Sequence, residues 1–487
     1  MGPDSLHPHL LKEVACEISL PLSIIFNKSL ISGSIPDDWR LANITAIFKK
    51  GDRNNPENYR PISLTCILCK VLESIIKDHI MIYLERNDML SQCQHGFRYQ
   101  RSCVTQLLEV MEDFTNYIDN KNTIDVIYLD FKKAFDSVPH RRLFVKLEAY
   151  GITGRILGWI KAFLSNRMQR VVVNNEVSEL KLVISGVPQG SVLGPLLFIL
   201  FINDLPDNLN SICKIFADDT KIYSDTSNSA LLQNDLYKLF KWSSDWQLNF
   251  NISKCKVMHV GRNNPSLTYF VDTQRSNVLS VVASEKDLGV IFDKNLYFDE
   301  HIYTTVNKAN KLIGIIYRSF SYLNVTMLIT LYKTLIRPIL EYGNCIWSPL
   351  FKRQSIILEK VQRRATRLLM ELQGLSYADR LLFLKLPTLK YRRTRGDLIQ
   401  LYKIVHGLDN VDYNSFFRYS QIDFTRGDRY KIYVSGTSTS LRHNYFVSRT
   451  VSIWNKLKFE TKDSKTINSF KKSIDRELHD QMYIFDE

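Results

Sequence analysis

Apolar positions change texture along the chain. Leu6, Leu10, Leu11 and Val14, then Ile18, Leu22, Ile25 and Phe26, recur at helical spacing and predict one or two helices before residue 35. From Trp39 to Lys50 the pattern is a short strand ending in a basic pair, followed by the polar turn G-D-R-N-N-P-E-N and a second strand, Y-R-P-I-S-L. Thr65 to Glu85 returns to helical spacing, with Ile67, Leu68, Val71, Leu72, Ile75, Ile76 and Ile80 on one face. Thr123 to Asp130 is a strand whose continuous run Val126–Ile127–Tyr128–Leu129 predicts burial on both faces. It ends in an acid, and a helix begins at once. Residues 151 to 183 predict a helix, a turn at Ser165–Asn166–Arg167 and strands around Arg170–Val173 and Leu180–Ile184.

Ser185 to Pro195, S-G-V-P-Q-G-S-V-L-G-P, carries three glycines and two prolines and opens an apolar helix. Such a segment lets backbone approach a ligand closely. Lys214 to Ser224 predicts two short strands joined by a tight turn at Asp218–Asp219. Leu231–Trp246 is a predicted helix, and strands follow around Val257–Met258 and over Asp287–Phe292. Beyond residue 295 the texture is helical: Ile302, Val306, Ala309, Leu312, Ile313 and Ile316 mark one face of 301–320, and helices recur around 325–342 and 355–371. After Gly407 short strand-like and helical stretches alternate without nameable chemistry.

Composition narrows this picture. A chain of 487 residues, 45% hydrophobic and 23% charged, is long enough for two or three domains with ample cores. The excess of 64 Lys and Arg over 50 Asp and Glu gives +14 and points to a polyanionic partner, nucleic acid before membrane. Between Lys352 and Arg395 twelve basic residues face three acids, the best candidate for a backbone-binding face. The longest apolar run, Val192–Ile202, contains Gly194 and Pro195 and is too short to cross a bilayer. The first residues lack the apolar core of a secretory signal. Eight scattered cysteines fit a reduced, intracellular setting, and Cys66 and Cys69 read as core residues rather than a zinc pair.

The chemistry lies in the acids. Asp218 and Asp219 repel each other at a turn that ordinarily favours Asn-Gly or Asp-Gly, so they need solvent or cations. Alone, the pair reads as a solvated turn, and Asp130 alone reads as a helix cap. If the strands are neighbours in one sheet, three carboxylates converge at one edge. Such a set of hard oxygens can bind two Mg²⁺ ions about 3.5–4 Å apart and serve in-line phosphoryl transfer. No His-rich set competes, which argues against zinc.

These segments together resemble the reverse transcriptases. F-A-D-D at 216–219 is similar to their metal-binding motif, L-D-F-K-K-A-F-D-S-V at 129–138 to their first catalytic motif, and 185–195 to the motif between. N-Y-R-P-I-S-L at 58–64, paired with H-G-F-R at 95–98, resembles the jockey-like enzymes of non-LTR retrotransposons. The similarity runs from about Gly2 to Gly407.

The resemblance implies an α+β right-hand polymerase: fingers, a palm with an antiparallel sheet and a helical thumb, with a C-terminal extension. Fingers and palm are expected over 1–295 with the catalytic core at about 40–292, the thumb over 296–370, and an extension of unknown role over 371–487. The implied reaction is RNA-templated addition of dNTPs to a primer 3′-hydroxyl. Asp130, Asp218 and Asp219 would hold two Mg²⁺ ions, with Mn²⁺ as the alternative. Phe135 would screen out a 2′-hydroxyl; Gln189 and Gly190 would lie beside the incoming nucleotide and template base. Arg60 and Lys49 would meet the triphosphate, and Lys254 would be a proton donor to pyrophosphate. Leu288–Gly289 would sit near the primer terminus. Implied partners are an RNA template, a DNA primer, their heteroduplex and dNTPs, with no membrane, in nucleus or cytoplasm. Family members carry an endonuclease ahead of the polymerase, and this sequence is expected to lack one. A non-catalytic nucleic-acid-binding remnant is the alternative reading, and a two-metal nuclease a second rival.

Overall fold

The predicted strands assemble into two sheets and a separate hairpin, with helices packed around them. The structure is a computed structural model and describes residues 2–174, 176–419 and 428–485. Its strands are β1 (Leu41–Phe48), β2 (Tyr59–Thr65), β3 (Ile124–Leu129), β4 (Arg167–Val173), β5 (Glu176–Val177), β6 (Lys181–Val183), β7 (Ile212–Phe216), β8 (Asp219–Asp225), β9 (Lys256–Val260), β10 (Ser280–Val281), β11 (Ser284–Asp287) and β12 (Val290–Asp293). The first sheet runs β2-β1-β4-β5, with β6 also on β4; the second runs β10-β9-β3-β8-β7. β11 and β12 form the hairpin. The α+β class expected from the sequence is the class observed.

β3 is the middle strand of the second sheet, antiparallel to both β8 and β9. Its two faces feed different cores. Ile127 and Leu129 join a cluster with the helices Ile67–Arg86, Gly154–Leu164 and Leu193–Phe201. Ile124 and Val126 join a second cluster with the helices Cys103–Asp119 and Asp299–Ser319 and with the C-terminal helices. A strand with a core on each side must be apolar at consecutive positions, which is why the alternation of a half-exposed strand is missing here.

The C-terminal residues belong to that second core. Trp454 and Phe470 are fully buried in it, and Tyr445 donates from its hydroxyl to the Leu108 carbonyl at 2.8 Å. Arg442 forks onto the buried Glu112 on the helix Cys103–Asp119, with nitrogen–oxygen distances of 2.9 and 2.5 Å. Of the expected extension 371–487, residues 420–427, 486 and 487 lie outside the described residues.

Two expectations need correction. The run Asp287–Phe292, read as one strand, is folded into the β11–β12 hairpin, with Asp287 paired to Val290. Leu288 and Gly289 form its turn at φ 43 and 91, the pair of positive values that a two-residue hairpin turn requires and that the glycine makes accessible. The second correction concerns the acidic turn. Phe216 pairs with Asp219, so the turn residues are Ala217 and Asp218, and Asp219 already belongs to β8. The positive φ, 53, falls on Ala217.

Cys66 and Cys69 are buried, free thiols, as core residues should be. Among the described residues no helix is long and apolar enough to cross a membrane.

Candidate active site

The β3–β8 register builds the site. Leu129 pairs with Thr220, so Asp130, one residue on, stands across from Asp219, beside Asp218 in the turn. The chain after Asp130 is held in place on its other side. The Asp130 carbonyl accepts from Asn251 N–H at 2.7 Å, and the rings of Phe131 and Phe250 stack at 4.3 Å. This cross-link brings the loop after Phe250 to the acids, and Lys254 Nζ reaches Asp130 Oδ1 at 3.1 Å.

The turn rests on the segment that carries H-G-F-R. Gln94 Oε1 accepts from the backbone N–H of Ala217 at 3.0 Å and of Gly96 at 2.7 Å. His95 N–H donates to the Ile215 carbonyl at 2.8 Å. A Cβ on Gly96 would lie 2.5 Å from the Ala217 nitrogen, so glycine is what permits the approach. Arg98 anchors the segment from behind, forking onto Glu85. The His95 ring meets Glu109 at 3.2 Å, and Lys214 on β7 meets the same carboxylate at 2.5 Å. Burial alone would raise Glu109, but these partners hold it down at about 2.

The glycine-rich segment ties the other elements together. Val187 N–H donates to the Phe135 carbonyl at 2.7 Å, and Gln189 Nε2 to Asp136 Oδ1 at 2.9 Å. The Gln189 carbonyl accepts from Ser63 N–H on β2 at 2.7 Å. Gly190, at φ 118, is so close to β2 that a Cβ there would lie 2.4 Å from the Ser63 carbonyl oxygen. The helix Leu193–Phe201 starts on the buried carboxylate of Glu73, which accepts from the N–H groups of Val192 and Leu193 at 2.7 and 2.9 Å. Phe135 is fixed face to face on Phe198 at 4.4 Å, with Phe97 edge-on at 6.5 Å.

Electrostatics places the remaining residues. The Asp218 carboxyl is raised from its ordinary value by burial and by repulsion from Asp130, while Arg60 on β2 and Lys49 after β1 pull it back. Asp219 is pushed up to about 6 although its outer edge is open to solvent. Enclosure by the surrounding protein contributes most, then Asp218, with Asp287 and Asp130 adding repulsion and Lys221 opposing it. Of the nine residues singled out from the sequence, Lys49, Arg60, Lys254 and the three acids Asp130, Asp218 and Asp219 thus share one electrostatic neighbourhood, while Phe135, Gln189 and Gly190 are tied to it through Asp136, which Lys49 also faces, and through β2. Among the described residues no three of His, Cys, Asp or Glu stand close enough to form a ready ligand cluster. The acids share a field rather than a closed cage.

Sequence reasoning missed several supports. Asp136 lies inside L-D-F-K-K-A-F-D-S-V and Gln94 directly before H-G-F-R, so their position was a usable signal. Glu73 and Tyr342 gave none. The Tyr342 hydroxyl donates to the Leu288 carbonyl at 2.7 Å, holding the β11–β12 turn, and Lys221 and Asp287 form a buried ion pair beneath it.

The basic tract 352–395 needs correction as a uniform binding face. Arg380 and Arg393 are buried, donating to Thr366 Oγ1 at 3.1 Å and Ser355 Oγ at 2.8 Å. Arg392 pairs with Glu341 and Arg395 with Asp475. These guanidinium groups lie on the packed sides of their helices, where each needs an acceptor. Lys360, Arg364, Arg367, Lys385 and Lys390 are exposed.

The match to a known protein family spans the segments of this site. Residues 47–325 match the family "Reverse transcriptase (RNA-dependent DNA polymerase)". The probable RNA-directed DNA polymerase from transposon X-element of Drosophila melanogaster is 29% identical over 387 residues, covering 76% of this chain and 42% of that protein. The RNA-directed DNA polymerase from mobile element jockey of Drosophila melanogaster is 27% identical over 359 residues, covering 70% and 39%. The chain thus spans about two-fifths of the length of these curated relatives. Among solved structures, telomerase from Candida tropicalis, in complex with a TWJ fragment of telomeric RNA, is similar at 11% identity and a TM-score of 0.41, covering 74% of this chain and 58% of that one. Telomerase from Candida albicans, with such a fragment, gives 11% and 0.36, covering 72% and 66%.

Proposed function

The chain belongs to the reverse transcriptase (RNA-dependent DNA polymerase) family, and on that premise we propose that it is the polymerase of a non-LTR retrotransposon. It adds deoxynucleotides to the 3′-hydroxyl of a DNA primer along an RNA template. The observation that carries this reading is the β3–β8 register. It sets Asp130 against the Asp218–Asp219 turn while Arg60 and Lys49, from the other sheet, face the same acids.

The site suits divalent metal. It offers carboxylate oxygens, and burial, then repulsion from neighbouring acids, raises Asp218 and Asp219, a strain that a bound cation would relieve. Asp130, Asp218 and Asp219 are proposed to hold two Mg²⁺ ions, with Mn²⁺ as the alternative. Bound there, the ions would lower the pKa of the attacking hydroxyl and steady the leaving pyrophosphate. The chain's own residues do the rest. Arg60 and Lys49 orient the triphosphate. Lys254, beside Asp130, carries a proton for the departing pyrophosphate. Phe135, unable to yield because Phe198 backs it, blocks a 2′-hydroxyl. Gln189 and Gly190 line the nucleotide and template-base side.

In this reading residues 1–295 are fingers and palm, 296–370 the thumb and 371–487 an extension whose described residues share the thumb's core. RNA, DNA primer, heteroduplex and dNTPs are the partners, inside the cell, in nucleus or cytoplasm. Extension of a DNA primer annealed to an RNA template tests the proposal: the chain should incorporate dNTPs with Mg²⁺ and stop when the metal is chelated. Salt-dependent binding of heteroduplex with no incorporation would establish the remnant instead.

A further inference from the structure

A carboxylate outside the metal-binding set fixes the side chain of Gln189. Asp136 follows Phe135, and the glycine-rich segment is laid against its backbone. Ser185 Oγ donates to the Asp136 carbonyl at 3.0 Å, and a Cβ on Gly186, at φ 86, would lie 2.6 Å from the Asp136 main chain. Further along the same segment, Gln189 Nε2 donates to Asp136 Oδ1 at 2.9 Å, while the Gln189 carbonyl is held by Ser63 N–H. Burial raises the Asp136 carboxyl, but Gln189, Lys133 and Lys49 pull it back, so it stays an ionised acceptor at neutral pH.

An ionised carboxylate has no hydrogen to give. The amide must therefore turn Nε2 to Asp136, and Oε1 is the atom left over. Among the described residues nothing donates to Oε1, and although Gln189 is half-buried this oxygen is open to solvent. A free amide would present its donor or its acceptor by a simple half-turn; this one is held. We propose, resting on the polymerase reading of this cleft, that Asp136 is a positioning residue that locks the Gln189 amide so that only an acceptor faces the substrate. What meets an acceptor is a donor. The N–H groups of the bases differ from base to base and are taken up in pairing, whereas a sugar hydroxyl is present whatever the sequence. The group selected is a sugar hydroxyl, on the incoming nucleotide or on the RNA template.

The test exchanges the polarity of the pair. Gln189→Glu sets two carboxylates against each other. Asp136→Asn/Gln189→Glu, at unchanged net charge, restores the hydrogen bond in the opposite sense and leaves one carboxylate oxygen free to accept. Asp136→Ala frees the amide to turn. The wild-type full chain and these variants are compared in heteroduplex affinity and in single-turnover incorporation of dNTP and of 2′,3′-dideoxynucleotide, on RNA and on DNA templates. Wild type should prefer the substrate that carries the hydroxyl, and that preference should fall by about threefold or more in Asp136→Ala and in Gln189→Glu. The double variant should regain it, with heteroduplex affinity unchanged throughout. A lost preference for dNTP over the dideoxynucleotide places the hydroxyl on the incoming nucleotide; a lost preference for RNA over DNA places it on the template. Urea midpoints of the same proteins report the pairing without activity: Gln189→Glu should lower the midpoint and the double variant recover it. The proposal is overturned if neither preference moves in Asp136→Ala, or if the double variant fails to regain the preference. Absence of incorporation by wild type would sink the polymerase reading instead, and the midpoints would then decide the lock alone, its overturning result being no recovery in the double variant.

Discussion

Gly96→Ala isolates the contact on which the acidic turn rests. An added Cβ would stand 2.5 Å from the Ala217 nitrogen and 3.0 Å from Gln94 Oε1, where ordinary contact begins at 3.4 Å. The neighbour at 2.5 Å is backbone and cannot swing aside, so the two segments must part by about 0.9 Å. Gly96 itself has an ordinary φ, which leaves the contact as the only cause of strain. Overpacking of this kind costs about 1–3 kcal/mol, and loss of the Gln94–Ala217 hydrogen bond adds about 1 kcal/mol. The displaced residue adjoins Asp218, and a misplacement near 1 Å at a reacting centre costs about a hundredfold in rate. Urea melts should therefore show a loss of about 2–4 kcal/mol. Single-turnover extension should slow about a hundredfold with heteroduplex affinity nearly unchanged. Gly374→Ala, with nothing within 4 Å of its Cβ, is the control and should change neither. Wild-type extension by Gly96→Ala would refute the claim that the Gln94 segment sets the position of the turn.

Other consequences concern stability and selectivity. Arg442→Ala leaves the buried Glu112 without its fork and should cost about 3–5 kcal/mol in a denaturant melt; an unchanged midpoint would detach the C-terminal residues from the core. His301 is buried against Trp347 and accepts from Ile291 N–H, and burial, with Lys286 assisting, lowers it to about 4 from 6.5. The unfolded chain then binds the extra proton first, so stability is full above pH 6.5 and falls by about 3 kcal/mol as pH drops to about 4. His301→Gln should flatten that window, read from melts across pH. Phe135→Ala should admit ribonucleotides to primer extension, and continued exclusion would remove Phe135 from the sugar-screening role.

Much of the site was legible because its residues sit in local runs. β3 announced itself by apolar residues at successive positions, and a strand needing two cores has few other spellings. The glycine-rich segment was legible for a similar reason: Gly190 touches the Ser63 carbonyl and tolerates no side chain. What the sequence hid was register and partnership. Asp218 and Asp219 look equivalent in one dimension, but the pairing of Phe216 with Asp219 gives the positive φ to Ala217 and puts Asp219 in the strand. The β11–β12 turn was hidden because Asp287–Phe292 also satisfies strand composition, and Tyr342, which holds it, lies 54 residues from Leu288. The basic tract misled because charge counts ignore burial: Arg392 and Arg395 serve Glu341 and Asp475 across helix packing rather than a ligand.

The central claim is that the Asp130, Asp218 and Asp219 edge is a working polymerase centre. It is tested by measuring, on the same preparations, heteroduplex affinity and single-dNTP incorporation for the wild-type chain and Asp218→Asn. The expected result is Mg²⁺-dependent incorporation by wild type, a loss of about a hundredfold or more in the variant, and similar affinity in both. Equal incorporation by the two proteins, or binding by both with incorporation by neither, would contradict it.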